Sequence, residues 1–490
     1  MSAAGLAAPP RAPAAEPGER LRRAARRWGP VLALYGGLKL VGFLVFLHLL
    51  DSTGDFRRKN PRFGGGAHAW DVLSSWDGWW YQQIAVHGYH PALIPIPDAT
   101  GPLTLQGNSA AFFPLYPALM RLVSEVTGLG PYGAGLLVSV VASFAAALGI
   151  HRVTAGLWGH RAGLVAAGLW AVWPGSGVEW AVYSDSLYVA LTAWACHAVL
   201  ARNWLTAGFL TCAAGLNRPT SVTLIAAVTV AALLAVARTH RSGRPRGSGR
   251  RWGGGRLWRG DRPRCGGRFR DGGGSWDGRG ARQVCRWPDG GRFPAADHAP
   301  DGVRARAGER VPDGDRVLAG VVRPLVAVGV APLGLLGYLG WVGLRTGEPG
   351  GYFALQSGAW QHEFDFGRHT ATVFTSVPVG HFDYPYAWPL ADVVGVGVVL
   401  LALVLLPLLL RLRPPAVLVT HTVLTLLLVL GSQQIFGNVS RYLLPAFPLF
   451  VPVAVALSRL PTALRLALLT LAAVASGSYA GYVLFELGVP

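Results

Sequence analysis

The sequence predicts an all-α polytopic membrane protein, with about eleven transmembrane helices and a large first extracytoplasmic loop. Three observations lead there. Hydrophobic residues make up 51% of the 490-residue chain and charged residues only 14%, too apolar for an ordinary soluble domain. The apolar residues are gathered into runs such as VLALYGGLKLVGFLVFLHLL and VVGVGVVLLALVLLPLLL, each about the 20 residues that cross a hydrocarbon core. These runs lack the period-two alternation of barrel strands, which leaves helices to satisfy the backbone in lipid.

Taken in order, the runs place spans at 29–50, 131–150, 162–178, 184–201, 203–217, 219–238, 318–344, 388–410, 415–431, 442–458 and 466–486. The Ala/Pro-rich residues 1–28 end in RLRRAARR and read as a disordered cytosolic tail before an uncleaved first span. Arginine and lysine beside spans stay on the cytosolic side. With the N-terminus inside, the basic connections HRVTAGLWGHR, ARN, RTHRSGR, RLRPP and SRLPTALR all fall there. The loops bearing tryptophan and carboxylate (51–130, WPGSGVEWAVYSD, 345–387 and GSQQIFGNVSRY) all fall outside. Two independent patterns therefore agree on a multi-pass protein of the cell membrane whose chemistry faces out. Within the first loop, AFFPLYPALMRLVSEVTG at 111–128 is amphipathic and carries Pro114 and Pro117, the pattern of an interfacial helix lying on the membrane.

The chain divides into the tail 1–28, an N-terminal membrane region 29–238 containing the loop 51–130, a block 239–317, and a C-terminal membrane region 318–490. The block is rich in Arg, Gly, Asp and Trp, and from 241 to 316 contains no Lys. Two readings fit it: a disordered basic linker, or a GC-rich gene read out of frame at this point. Neither gives it a function. The block supplies much of the formal charge of +19. No nucleic-acid motif or basic–aromatic repeat accompanies that charge, and nucleic acid is not expected as a partner. The four cysteines (Cys196, Cys212, Cys265, Cys285) show neither metal-ligand spacing nor a secreted disulfide pattern.

The chemistry concentrates in three outer segments. In AWDVLSSWDGWWYQQIAVHGY, Asp71 and Asp77 lie among Trp70, Trp76, Trp79, Trp80, Tyr81 and Tyr89. Aromatic rings suit the lipid–water interface, but a carboxylate held there is costly. In YSDSLY, Asp185 stands at the mouth of the fourth span, where an acid also suits a helix N-terminus. In SRYLLPAFPLF, Arg441 opens the tenth span on the face where arginine is disfavoured, and Arg218 in LNRPTS is a comparable case. Each has a plain reading as a solvated acid, a helix cap or a snorkelling arginine. Together they suit transfer of a sugar from a lipid phosphate. A carboxylate acts as general base on the acceptor hydroxyl, arginines stabilise the departing phosphate, and rings stack on the sugar. No P-loop or zinc motif competes.

WDGWWYQQIAVHGY, AFFPLYPALMRL, YSDSLY and RYLLPAFPLF resemble the corresponding segments of PIG-V-like mannosyltransferases of the GT-C superfamily. The resemblance covers most of the chain outside 241–316. It implies a GT-C-like multi-span fold, a polyprenyl-phosphate-mannose donor and inverting transfer on the non-cytosolic face. It places the catalytic base on Asp77 and a second acid on Asp185, where the family has Glu. Trp76, Trp80, Tyr81, Arg218, Arg441, and Tyr352 and Gln356 of GYFALQ with Trp360 are the expected substrate-binding set. The acceptor stays open between glycolipid, polysaccharide and protein. No cofactor is specified and no metal ligand is assigned, although a divalent ion remains open. The competing class is a transporter or flippase of a lipid-linked saccharide, favoured by the Leu216–Arg218 break between spans but by no internal repeat.

Because no function is placed in the block, deleting residues 243–314 should leave membrane insertion and outer-face activity intact, since shortening a loop costs little. Loss of activity in a normally inserted deletion variant would give the block a role.

Overall fold

The computed structural model describes residues 17–89, 96–97, 103–104, 109–242, 313–360, 362–385 and 387–490. Its helices are, in order, α1 (Pro17–Thr53), α2 (Asp77–His87), α3 (Leu115–Thr127), α4 (Pro131–Trp158), α5 (His160–Ala171), α6 (Asp185–Leu200), α7 (Trp204–Gly215), α8 (Val222–Ser242), α9 (Asp313–Val330), α10 (Leu333–Thr346), α11 (Gly351–Trp360), α12 (Arg368–Ser376), α13 (Pro389–Arg411), α14 (Ala416–Leu430), α15 (Val439–Tyr442), α16 (Val451–Leu457) and α17 (Thr462–Ser478). Residues 243–312 of the basic block lie outside the described residues.

Six helical stretches are long and apolar enough to cross a membrane: Trp28–Thr53, Pro131–Trp158, Pro219–His240, Gly320–Thr346, Pro389–Arg411 and Thr462–Leu484. A bent pair, Phe436–Tyr442 with Phe447–Leu457, adds a seventh if counted as one span. The protein is a polytopic α-helical membrane protein. At the other predicted spans the helices are shorter: α5 and α7 have 12 residues, α6 has 16 and α14 has 15.

Three features differ from the sequence reading. α1 begins at Pro17, inside the segment read as a disordered tail, because RLRRAARR is made of good helix formers that extend the apolar helix backwards. The predicted span 162–178 stops as a helix at Ala171; Pro174 then starts a 3₁₀ turn, Pro174–Trp180, that is buried in the bundle. At the start of the tenth predicted span the chain breaks between Tyr442 and Phe447 and turns by 81°; Pro445, in the break, withholds a backbone donor there. His421 of α14 lies 3.1 Å from the carbonyl of Pro445 and accommodates the break. The amphipathic segment forms a helix. α3 starts at Leu115 with Pro114 before it, and Pro117 falls in the first turn, where a missing N–H is harmless. Leu122 and Val126 are exposed on its outer side.

The bundle core is built on α4, α5 and α6 together with α1 and α17. α1 and α17 meet at glycines: a Cβ on Gly477 would stand 2.3 Å from the carbonyl oxygen of Gly42, the close approach that small residues give packed membrane helices. Into this core the 3₁₀ turn inserts Glu179. Lys39 of α1 pairs with it at 3.0 Å and donates to the carbonyl of Ser176 at 2.7 Å; Tyr35 donates to it at 2.6 Å. Lys39 also lies 4.1 Å from the ring of Trp180. The ammonium thus clamps the turn to α1. At one end of the bundle the connecting segments fold over one another. Residues Glu363–Phe364 pair antiparallel with Ser432–Gln433, which ties the 345–387 connection to the end of α14.

Removing one partner of a buried ion pair leaves an uncompensated charge, a loss of about 3–5 kcal/mol. Glu179→Leu and Lys39→Met should each lower the thermal midpoint of the detergent-purified protein sharply, and the double variant should recover much of the loss. Additive losses would show that the pair does not hold the turn.

Candidate functional site

The site lies where the ends of α2 and α6 meet α15 and the start of α8. Asp77 and Asp185 are the first residues of α2 and α6. Their approach is set by the backbone. Val182 N–H donates to Leu73 O at 2.9 Å, which carries the strand before α6 past the turn before α2. Trp76, immediately before Asp77, has φ 55, a conformation costly for a bulky side chain and found where a functional residue must be aimed. Its N–H is held by the carbonyl of Arg62 at 2.9 Å.

Arg441 joins the two carboxylates. Its Nη2 donates to Asp185 Oδ2 at 2.9 Å and to Asp77 Oδ2 at 2.5 Å, and its Nε to Asp185 at 3.2 Å. Nη1 donates to the carbonyl of Pro490 at 2.8 Å, and the guanidinium lies 4.6 Å from the ring of Tyr183. Arg218 forms a second ion pair with Asp185. Asp185 is therefore gripped from two sides and its side chain is 5% exposed, whereas Asp77 has one cationic partner and is 28% exposed. The plain reading of Asp185 as a helix cap does not hold. Ser184 occupies the cap position and accepts from Tyr81 Oη at 2.8 Å, while Asp185 turns to the arginines.

The backbone of Arg441 is placed by the buried turn. Trp173 Nε1 donates to Ser440 O at 2.7 Å. Gly175 packs so close that a Cβ there would meet Arg441 N at 2.4 Å. The Lys39–Glu179 clamp thus acts on Arg441 through this turn.

An aromatic wall flanks the acids. Trp80 stacks on Phe112 at 5.5 Å, and Trp360 stands edge-on to Phe112 at 5.7 Å. Tyr81 packs edge-on against Phe112 and Tyr116. Trp76 lies against Phe63 at 5.3 Å. Tyr352 and Gln356, expected in the substrate-binding set, are held against neighbouring protein groups. Tyr352 is buried against Phe113, and Gln356 donates to Tyr352 Oη at 3.0 Å and to Ala111 O at 3.2 Å. They brace the segment that carries Phe112. Asp71 is also local in its work: it accepts from the backbone N–H of His68 at 2.9 Å and closes a capping box.

The structure thus gathers Asp77, Asp185, Arg218, Arg441, Tyr81 and Trp80. The sequence reading missed Lys39 and Glu179 as positioning groups, although a lysine inside a predicted span was a signal. It also missed Phe112, His362 and Arg62. His362 lies in the 345–387 connection; burial pushes its imidazole down to about 4, against the attraction of Asp77, so it stands neutral beside the acids. Nothing in the local sequence marks it. Among the described residues no group of three or more His, Cys, Asp or Glu is gathered for a metal ion.

Neither a family model nor a curated protein matches the chain. Among solved structures it is similar to the Archaeoglobus fulgidus oligosaccharyltransferase in complex with zinc and sulfate, with 14% identity over 92% of this chain and 53% of that chain and a TM-score of 0.39. It is similar also to the oligosaccharyltransferase AglB of the same archaeon in complex with an inhibitory peptide and a dolichol-phosphate, with 11% identity over 93% and 56% of the two chains and a TM-score of 0.38. The chain spans little more than half the length of these structures. Likeness this distant transfers no residue role to the present chain.

If Arg441 is the bridge, its coupling should fall mainly on Asp185. Double-mutant cycles of Arg441→Gln with Asp185→Asn should give a coupling of about 2–3 kcal/mol in unfolding, and with the more exposed Asp77→Asn under about 1 kcal/mol. The reverse order would contradict the geometry.

Proposed function

We propose that the protein is a glycosyltransferase of the extracytoplasmic membrane face that moves a sugar from a polyprenyl-phosphate donor to a glycolipid, polysaccharide or protein acceptor. Mannose is the sugar implied by the resemblance to PIG-V-like enzymes. The observation that carries the reading is the Arg441 bridge between a buried and an accessible aspartate beside an aromatic wall. A general base must reach substrate, and Asp77 is the acid that retains exposure. Asp185, doubly paired and buried, positions Arg218 and Arg441.

The charges supply a mechanism. In the resting site two aspartates balance two arginines. As the acceptor oxygen attacks the anomeric carbon, its proton passes to Asp77, and the bond from that carbon to the phosphate oxygen breaks. The phosphodiester, with one negative charge, becomes a lipid phosphate with two. Protonated Asp77 no longer neutralises Arg441, so the guanidinium is freed to stabilise charge as that charge develops on the leaving group. Stabilisation that appears in the transition state accelerates the step. Inversion follows from this single displacement.

A transporter of a lipid-linked saccharide is the second reading. The 81° bend at the tenth predicted span and the Leu216–Arg218 break favour it, since transporters use broken helices at their binding sites. Purified protein in detergent, given polyprenyl-phosphate-mannose and a candidate acceptor, separates the two: release of the lipid phosphate requires catalysis and no membrane to cross.

Asp77→Asn should lower turnover by about 10²–10⁴-fold, with donor binding no weaker than in the wild type, because the substitution leaves Arg441 with one carboxylate fewer. Asp71→Asn should cost less than about tenfold, because a capping contact contributes only about 1 kcal/mol. Wild-type turnover in Asp77→Asn would remove it from the mechanism, and a collapse in Asp71→Asn alone would transfer the role.

A further inference from the structure

We propose that Arg62 is the group that binds the donor's phosphate before reaction; this rests on the glycosyltransferase reading and adds a residue and a division of labour to it. The four charges already described cancel. Arg218 and Arg441 are both ion-paired with aspartate, so the resting site offers an incoming phosphodiester no net attraction. A lipid phosphate needs another cation within reach of Asp77.

Arg62 meets that need. Its backbone carbonyl holds the N–H of Trp76, the residue before Asp77, and Ser75 Oγ donates to the carbonyl of Pro61 at 2.9 Å. The 61–62 segment is thereby fixed on the turn that aims the acid. The guanidinium lies 4.8 Å from the ring of Trp79, 5.0 Å from that of Trp80 and 5.1 Å from that of Phe63. Trp80 follows Asp77 by three residues on α2 and stacks on Phe112 of the wall. Among the described residues no carboxylate lies within ion-pair distance of Arg62, and its guanidinium is packed against these ring faces. The group is half-buried.

A cation drawn partly out of water and left without a counter-charge is costly, and ring faces offset only part of that cost. What the rings do provide is orientation. They hold a planar fork whose N–H donors remain available, the geometry that binds phosphate oxygens in pairs. Trp79, which is only partly buried, also offers apolar surface to the isoprenoid next to that phosphate. Arg62 therefore works on the ground state, where the donor carries one charge, and Arg441 works on the transition state, where a second charge appears. The two should separate kinetically.

The test uses the full-length protein in detergent. Undecaprenyl phosphate is titrated by calorimetry, with inorganic phosphate and phosphatidylglycerol as parallel probes, and donor KM and kcat are measured in the transfer assay. Arg62→Gln should weaken undecaprenyl phosphate about 10- to 100-fold, as expected for a lost charge-assisted contact, and raise donor KM by a similar factor with kcat within about threefold. Arg62→Lys, which keeps the charge over the rings, should recover part of both and guards against a folding defect. Arg121→Gln, on the outer side of α3, should change neither. Unchanged binding in Arg62→Gln overturns the proposal, as does an equal loss of phosphatidylglycerol, which would make this a general headgroup contact. An effect on kcat alone would also overturn it. If Arg62-dependent binding is found but no acceptor is ever glycosylated, the enzyme reading falls while the phosphate site stands. If the wild-type protein binds no undecaprenyl phosphate, both fall.

Discussion

The guanidinium of Arg441 bridges a buried aspartate and an accessible one, and much of the surrounding structure serves to keep it there. A charge in this position, on the edge of an apolar bundle, is expensive unless every donor is engaged. Here Nε and Nη2 go to Asp185 and Asp77, Nη1 to Pro490, and the face of Tyr183 covers the plane. The three side chains come from α2, α6 and α15, and therefore from both membrane regions of the chain. Their meeting joins the two halves at one end of the bundle.

Several local departures from regular helix make sense against that requirement. The bend around Pro445 ends α15 immediately after Arg441 and frees a carbonyl that His421 faces. The strained backbone at Trp76 turns Asp77 toward the arginine. The 3₁₀ turn Pro174–Trp180, which a uniform helix through 162–178 would have eliminated, carries Trp173 and Gly175 against the backbone of residues 440 and 441. That turn is in turn anchored by Lys39 and Glu179, so a salt bridge inside the bundle and a bridge at its mouth are mechanically linked. The same arrangement explains why the two aspartates differ. Identical in type, they are separated in role by exposure and by the number of cations each must face.

The segments WDGWWYQQIAVHGY, AFFPLYPALMRL, YSDSLY and RYLLPAFPLF are short, and three of the four line this site. α2 supplies Asp77, Trp80 and Tyr81, the start of α6 supplies Asp185, and the segment before α16 supplies Arg441. The fourth, AFFPLYPALMRL, supplies Phe112 to the wall and the amphipathic α3. The motifs are thus far apart in the chain and adjacent in space.

Composition and periodicity were enough to establish helices in a membrane, because runs of about 20 apolar residues have one common solution in lipid. They also located α3, because amphipathic spacing is local. The acids and arginines were legible as a set, since charge and aromatic residues at span mouths stand out from an apolar background. Their pairing was not, because it depends on contacts between residues as distant as 77 and 441. For the same reason the sequence did not show that Tyr352 and Gln356 bond to each other behind Phe112 and Phe113, and His362 and Arg62 carried no local mark. The buried turn at 174–180 shows the limit most clearly. Apolar composition alone carried an expected span through Pro174 to 178; that the helix stops at Ala171 and the next turn fills the bundle was decided by Lys39 on another helix, whose charge gives Glu179 a partner worth burying.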